Sequence, residues 1–274
     1  MENSVTTRSE DAKAPSVPDA VSLRNIAVRF GAYTAVQNLD IRVAPGEFVS
    51  IVGPTGCGKS TLLNVVTGLR QPAEGTVEIY GETLQGLNAH AGYMLQQDAL
   101  LPWKTTLDNI ALGLIFQDVA IKEARDRAQP WLEKVGLGGF GDRYPHQLSG
   151  GMKKRAALAQ MLIMSPRIVL MDEPFSALDM QTKHLMQNEL LRLWQEQGMS
   201  VLFITHDLEE AITLADRVAV MAAGPASRVI ANVPVSLSRP RDVTEVVLTD
   251  EYRRVYAEIW GVLRDEVKKS YAKL

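Results

Sequence analysis

The chain has one cysteine, Cys57, in 274 residues. A single thiol excludes a disulfide within the chain and fits a reducing, cytosolic location. No apolar run approaches the ~18 residues of a membrane-spanning helix, so any membrane attachment is expected to go through a partner. The opening "MENSVTTRSEDAKAPSVPDA" lacks the apolar centre of a secretory signal. Its Ser, Thr, Pro, Ala and charged residues predict a disordered arm over residues 1–20. Neither sign of charge dominates: 29 Lys and Arg stand against 32 Asp and Glu, a net charge of −3. A broad basic face for nucleic acid is not indicated, and no internal repeat is visible. Hydrophobic residues make up 46% of the chain. That is enough for a full core, in one large domain or a domain with subdomains.

Early segments alternate apolar and polar residues as half-buried strands do. They are "VSLRNIAVRF" (21–30), "NLDIRV" (38–43) and "GTVEIYG", with a short apolar strand in "APGEFVSIVG" ending at Gly53. A helical stretch follows. Thr105 or Thr106 is placed to cap "LDNIALGL". "IKEARDRAQPWLEKVGL" has helical spacing, but Pro130 predicts a kink or a break between two helices. "RIVLMDEP", "SVLFITHD" and "DRVAVM" are short apolar runs closed by polar groups, the pattern of buried parallel strands. "TKHLMQNELLRLWQEQ" reads as a helix between the first two. Near the end, Tyr252, Val255, Tyr256, Ile259, Trp260, Leu263 and Val267 recur at helical spacing, an amphipathic helix expected to pack on its own domain.

The densest chemistry lies in "GPTGCGKST". Gly53, four residues, then Gly58-Lys59-Ser60 sit between an expected strand and an expected helix, the context this phosphate loop requires. The flexible backbone over Gly53, Pro54, Thr55, Gly56, Cys57 and Gly58 can turn successive N–H groups toward phosphate oxygens. Lys59 brings a positive charge to the β- and γ-phosphates. Ser60 offers a hydroxyl to Mg²⁺, and Thr61 is placed to reach the α-phosphate. Cys57 reads as a small filler. Further along, "IVLMDEP" ends an apolar strand in Asp172, a carboxylate placed beside the loop to hold Mg²⁺ through water. Glu173 points the opposite way, toward the γ-phosphate, where a general base can orient water. His206 closes "VLFITH" on a strand end expected beside that of Asp172, within reach of the γ-phosphate. His90, His146 and His184 read as structural.

"QLSGGMKKR" poses a separate question. It is a second glycine-marked helix start, the kind that binds anions, in a chain with one complete phosphate loop. Lys153, Lys154 and Arg155 sit in its first turn, where cations oppose the helix dipole by ~0.3–1 kcal/mol each. A nearby anion would offset that cost.

In order, "GPTGCGKST", "LSGGM", "IVLMDEP", "SALD" and "FITHD" resemble the ATP-binding cassette (ABC) ATPases over about residues 21–240. The resemblance implies a P-loop NTPase α/β core of mixed, largely parallel sheet with flanking helices. An antiparallel β subdomain and an inserted α-helical subdomain at about 98–165 complete it, with residues 241–274 as a C-terminal helical extension. It implies two cassettes paired head to tail, a second copy or a related chain. Each ATP then lies between the loop of one and the signature helix of the other. On that view Ser149, Gly150 and Gly151 serve the partner's γ-phosphate. The resemblance further implies that Gln96, ahead of Gln97, touches Mg²⁺ and links the site to the helical subdomain. Phe30, with Tyr33 as second choice, would stack on adenine, and Asp179 would contact the other chain. Met152 departs from the usual glutamine and removes a polar contact near the partner's ribose.

"DALLPW" (98–103) is an apolar cluster in an expected loop, where transport cassettes face their membrane subunit. With "LSGGM" and "SRPRD" it resembles importer cassettes for nitrate, sulfonate, taurine and bicarbonate. That branch implies multi-span permease subunits, a solute-binding protein acting indirectly, and a peripheral position at the cytoplasmic face of the inner membrane. The alternatives are a non-transport cassette ATPase of DNA repair or translation, and a nucleotide-dependent regulatory module.

Overall fold

A computed structural model describes residues 17–96, 99–176 and 178–271. The expected arm up to residue 16, Gln97, Asp98, Ala177 of "SALD" and the last three residues lie outside the described residues.

Two sheets form the frame. Strands β1 (Val21–Phe30), β2 (Tyr33–Val43), β4 (Glu74–Ile79) and β5 (Glu82–Thr83) make an antiparallel sheet in the order β2-β1-β4-β5. The second sheet contains β3 (Phe48–Val52), β6 (Ala91–Met94), β7 (Ile168–Asp172), β8 (Ser200–Ile204), β9 (Arg217–Met221) and β10 (Val229–Pro234). Its order is β10-β9-β3-β8-β7-β6, with all neighbours parallel except the antiparallel edge strand β10. β3, β7 and β8 are buried at every position. That explains their unbroken apolar runs, because a parallel sheet is covered on both faces.

The pleat divides the core. Phe48, Val169, Met171, Val201 and Phe203 face one layer, which contains the buried side of helices α2 (Thr106–Ile115), α3 (Ile121–Lys134) and α4 (Gly150–Leu162). Val49, Ile51, Leu170, Leu202 and Ile204 face the other, where helix α1 (Lys59–Val66) and the antiparallel sheet pack. Helices α5 (Met180–Gln197), α6 (Leu208–Leu214), α7 (Val243–Val246) and α8 (Asp250–Tyr271) follow. No helix among the described residues is long and apolar enough to cross a membrane.

Several local expectations change. β2 begins at Tyr33, five residues before the expected strand, because its first half pairs with β1 as far as Phe30. β6 and β10 were not legible as strands. Thr105, rather than Thr106, caps α2 by accepting the Asp108 N–H at 3.2 Å. α3 runs through Pro130 unbroken. Pro130 is exposed, so water can satisfy the one carbonyl deprived of its donor, and the helix ends a turn later. α8 packs Tyr252, Val255, Ile259 and Leu263 into the main core, while Tyr256 and Trp260 stay partly exposed.

Candidate nucleotide-binding and hydrolysis site

The chemistry-bearing residues gather at the carboxyl ends of adjacent parallel strands, where open α/β sheets place their sites. β3 carries the phosphate loop, β7 ends in Asp172, Gln96 follows β6 and His206 follows β8. Register keeps these ends level: Ile51 pairs with Ile204, and Ile204 with Asp172.

The phosphate loop needs its glycines. Gly56 and Gly58 take left-handed φ values of 76° and 100°, which side chains rarely tolerate. At Gly58 a Cβ would also lie 2.8 Å from Val36 Cγ2. Lys59 is buried, and its ammonium donates to the carbonyls of Gly53 (2.9 Å) and Pro54 (3.1 Å), bracing the loop. Cys57 is fully buried and burial pushes its thiol pKa up. It fills space and is a poor nucleophile.

Asp172 is buried beside this loop. Burial raises its pKa. A hydrogen bond from Ser60 opposes that, Glu173 adds to it, and the positive charges of Lys59 and Lys154 oppose it. A buried carboxylate beside a serine hydroxyl is a hard-oxygen pair suited to Mg²⁺. Among the described residues no group of three or more His, Cys, Asp and Glu forms a metal cage. Ser60 and Asp172 offer two oxygen ligands of the kind Mg²⁺ takes alongside water and phosphate oxygens.

Glu173 has a left-handed φ of 48°, a conformation costing ~1–3 kcal/mol. Its backbone is held there: its N–H donates to Ile204 O at 2.9 Å, and its carbonyl accepts from Ser176 Oγ at 3.0 Å and from the Ser176 N–H at 3.4 Å. Glu173 Oε2 accepts from Gln96 Nε2 at 3.3 Å and lies 3.3 Å from His206 Nδ1. Three side chains from three strand ends thus converge on one point, with 61% of the His206 side chain exposed.

Both candidate aromatics are about half exposed. One face of Phe30 is covered by the Arg70 guanidinium, 3.7 Å from the ring centre. Tyr33 lines a cleft of about 920 Å³ together with Gly53–Gly56, His206 and the α8 aromatics Tyr252, Tyr256 and Trp260.

Ser149 caps α4 by accepting the Met152 N–H at 3.3 Å. Ser149 and Gly150 are exposed, and Gly150 has open space on its Cβ side. Asp179 caps α5 through the Thr182 N–H at 3.0 Å, which holds its carboxyl below the usual range. The three basic residues after "LSGG" do not form one anion-facing cluster. Lys154 is buried and its ammonium donates to the Gln96 carbonyl. Arg155 donates to the carbonyls of Val135 and Gly136 at 3.1 and 2.8 Å. Backbone carbonyls of the same chain compensate Lys154 and Arg155, which corrects the expectation of an anion opposite these two.

Two arrangements escaped the sequence. Asn109, buried in α2, accepts the Leu101 N–H and donates to the carbonyls of Leu101, Lys104 and Thr105. It clamps the loop on which Trp103 stands 71% exposed, while Leu100 joins the core. An asparagine on an otherwise apolar helix face was the only signal. The other is an ionic cluster around Lys183, which no local spacing marks.

A phosphate loop between β3 and α1, a Ser–Asp pair and a Glu–His–Gln convergence suit a nucleoside triphosphatase. The sequence profile of ABC transporters matches residues 36–176. The chain is 44% identical over 228 residues to the aliphatic sulfonates import ATP-binding protein SsuB 1 of Burkholderia lata, covering 83% of this chain and 68% of that one. It is 40% identical over 238 residues to the nitrate import ATP-binding protein NrtD of Synechocystis sp., covering 85% and 90%. A solved dimeric ATP-binding cassette in a post-hydrolysis state with ADP and Pi is 33% identical. It superposes with a TM-score of 0.71 over 80% of this chain and 100% of that one. The chain belongs to the ABC transporter family as an ATP-binding ATPase subunit.

Proposed function

We propose that this chain hydrolyses ATP to drive an importer of a small anion of the nitrate, sulfonate, taurine or bicarbonate kind. The observation that carries the site is the meeting of Gln96, Glu173 and His206 within 3.3 Å contacts, beside a phosphate loop braced by Lys59. The solute class rests on relatives named for nitrate and aliphatic sulfonate import, and on the resemblance of "LLPW", "LSGGM" and "SRPRD" together to that importer branch.

Backbone N–H groups of the loop and the Lys59 ammonium bind the phosphates. Ammonium bonds to Gly53 and Pro54 are exchanged for phosphate oxygens when ATP enters. Phe30 or Tyr33 receives the adenine, and the exposure of both supports either. Ser60 and Asp172 would hold Mg²⁺, with Gln96 at its edge; the ion supplies charge neutralisation on the phosphates. Glu173 accepts a proton from the attacking water. Gln96 orients the Glu173 carboxylate, and His206 donates to the γ-phosphate as charge develops there.

The open helix start at Ser149–Gly151 lies on a different element from the loop and serves the ATP of a second cassette, with Asp179 at the junction. Residues 21–240 form the cassette, about 98–165 its helical subdomain, and 241–274 an extension. Trp103, exposed on a loop clamped by Asn109, is suited to a permease subunit. Such a subunit would hold the chain at the cytoplasmic face of the membrane, with a solute-binding protein upstream. Co-purification tests this reading. A multi-span membrane protein and an anion-loaded binding protein are expected, and ribosomes or DNA in their place would refute transport.

A further inference from the structure

His206 makes little contact of its own, yet its two neighbours are firmly held. Thr205 is buried; its hydroxyl donates to Glu210 Oε2 at 2.7 Å and accepts the Asp207 N–H at 3.0 Å. Asp207 caps α6, with Oδ1 accepting the Glu209 N–H at 2.9 Å. Its Oδ2 accepts from Lys183 Nζ at 2.8 Å, and the same ammonium lies 3.3 Å from Glu210 Oε1. Both residues flanking the imidazole are therefore tied to one cation.

That cation belongs to another element. Lys183 stands one turn into α5, and its N–H donates at 2.9 Å to the carbonyl of Asp179, the residue that caps this helix. Burial pushes Glu210 up, while Thr205 and Lys183 pull it back. Asp207 is held below the usual carboxylate range by Lys183 despite its burial. Without the ammonium, two carboxylates would face each other with no cation between them, and a buried pair broken this way rearranges or takes up a proton.

We propose that Lys183 is a positioning residue for His206, fixing the imidazole through Asp207, Glu210 and Thr205 and linking its place to the α5 turn that begins at Asp179. The proposal rests on the reading of His206 as the group that meets the γ-phosphate. A rigid support of this kind matters because a displacement of about 1 Å at a reacting group can cost ~10²-fold in rate.

The test uses the full chain with Mg-ATP, measuring kcat, ATP affinity and melting temperature for Lys183→Met, Lys183→Arg, Thr205→Val and His206→Ala. Lys183→Met should lose about 10- to 100-fold in kcat with ATP affinity unchanged, and Lys183→Arg should recover most of it. Thr205→Val removes no charge and should show the same split more weakly. In the double variant Lys183→Met/His206→Ala, turnover should match His206→Ala alone, since residues acting as one unit are non-additive. A structural ion pair would instead add its own loss on top. Full turnover in His206→Ala would remove the underlying reading. Loss in His206→Ala with wild-type kcat in Lys183→Met would overturn the positioning role alone. Should Lys183→Met not fold, Thr205→Val decides in the same way: a wild-type kcat there refutes the proposal.

Discussion

Replacing Glu173 with Gln separates binding from chemistry. Glutamine keeps the length and shape of the side chain and the left-handed φ of 48° at this position. It removes the negative charge that accepts from Gln96 and faces His206. One weakened hydrogen bond at this partly exposed side chain costs about 0.5–1.5 kcal/mol, a small part of the stability of a domain this size. Loss of a general base costs ~10²–10⁴-fold in rate, or about 2.7–5.4 kcal/mol of barrier. The variant should therefore melt near the wild-type temperature, bind ATP and turn it over very slowly. ATP that is not consumed should accumulate a two-chain species, read by light scattering with ATP in the absence of Mg²⁺. Adding Ser149→Arg should abolish that species and leave ATP binding intact. Arginine there also loses the Ser149 cap on Met152 N–H, worth ~0.5–2 kcal/mol. Ser149→Ala, which loses the same cap without the bulk, is the control. Turnover within tenfold of wild type in Glu173→Gln would refute the base assignment. Double variants that pair as well as their parent would refute a signature helix facing the second nucleotide.

Lys59→Ala should abolish most ATP binding, measured by equilibrium titration; retained affinity would defeat the loop assignment. Asp172→Asn should raise the melting temperature of the nucleotide-free chain at neutral pH while ending Mg-dependent turnover. Burial raises the Asp172 pKa, so the ionised form is the disfavoured one. The cost is absent below the unfolded carboxyl pKa and grows as pH rises through the folded value. The gain from asparagine should accordingly vanish in acid, and a gain that persists there would refute the cause. Trp103→Ala should leave folding and ATP binding unchanged but weaken assembly with the membrane subunits, because the removed ring is exposed; normal transport would sink that role. Cys57 should resist thiol reagents in the native chain and react only after unfolding, given its burial and raised pKa.

What the sequence determined by itself is chemistry that acts within a few residues. The phosphate loop is one contiguous stretch, and its glycines state their backbone conformation directly. The helix starts at "LSGG" and near Thr105 and Thr106 were legible because such signals act within one turn, whereas the choice of Thr105 and the caps made by Ser149 and Asp179 came from the structure. Uninterrupted apolar runs announced β3, β7 and β8 because burial on both faces leaves no room for alternation. The tertiary structure decided whatever depends on register between distant segments. Parallel pairing brings Gln96, Glu173 and His206 to one point, although they lie far apart in the chain. Packing turned Lys154 and Arg155 inward onto backbone carbonyls, which no helix pattern could announce. It let Pro130 remain inside α3 because its face meets water. Sheet edges claimed β6 and β10, whose short sequences carry weak periodicity. The Lys183 cluster is legible only in three dimensions, because Thr205, Asp207 and Glu210 are near neighbours in the chain but the lysine that joins them stands 24 residues before Asp207, on α5.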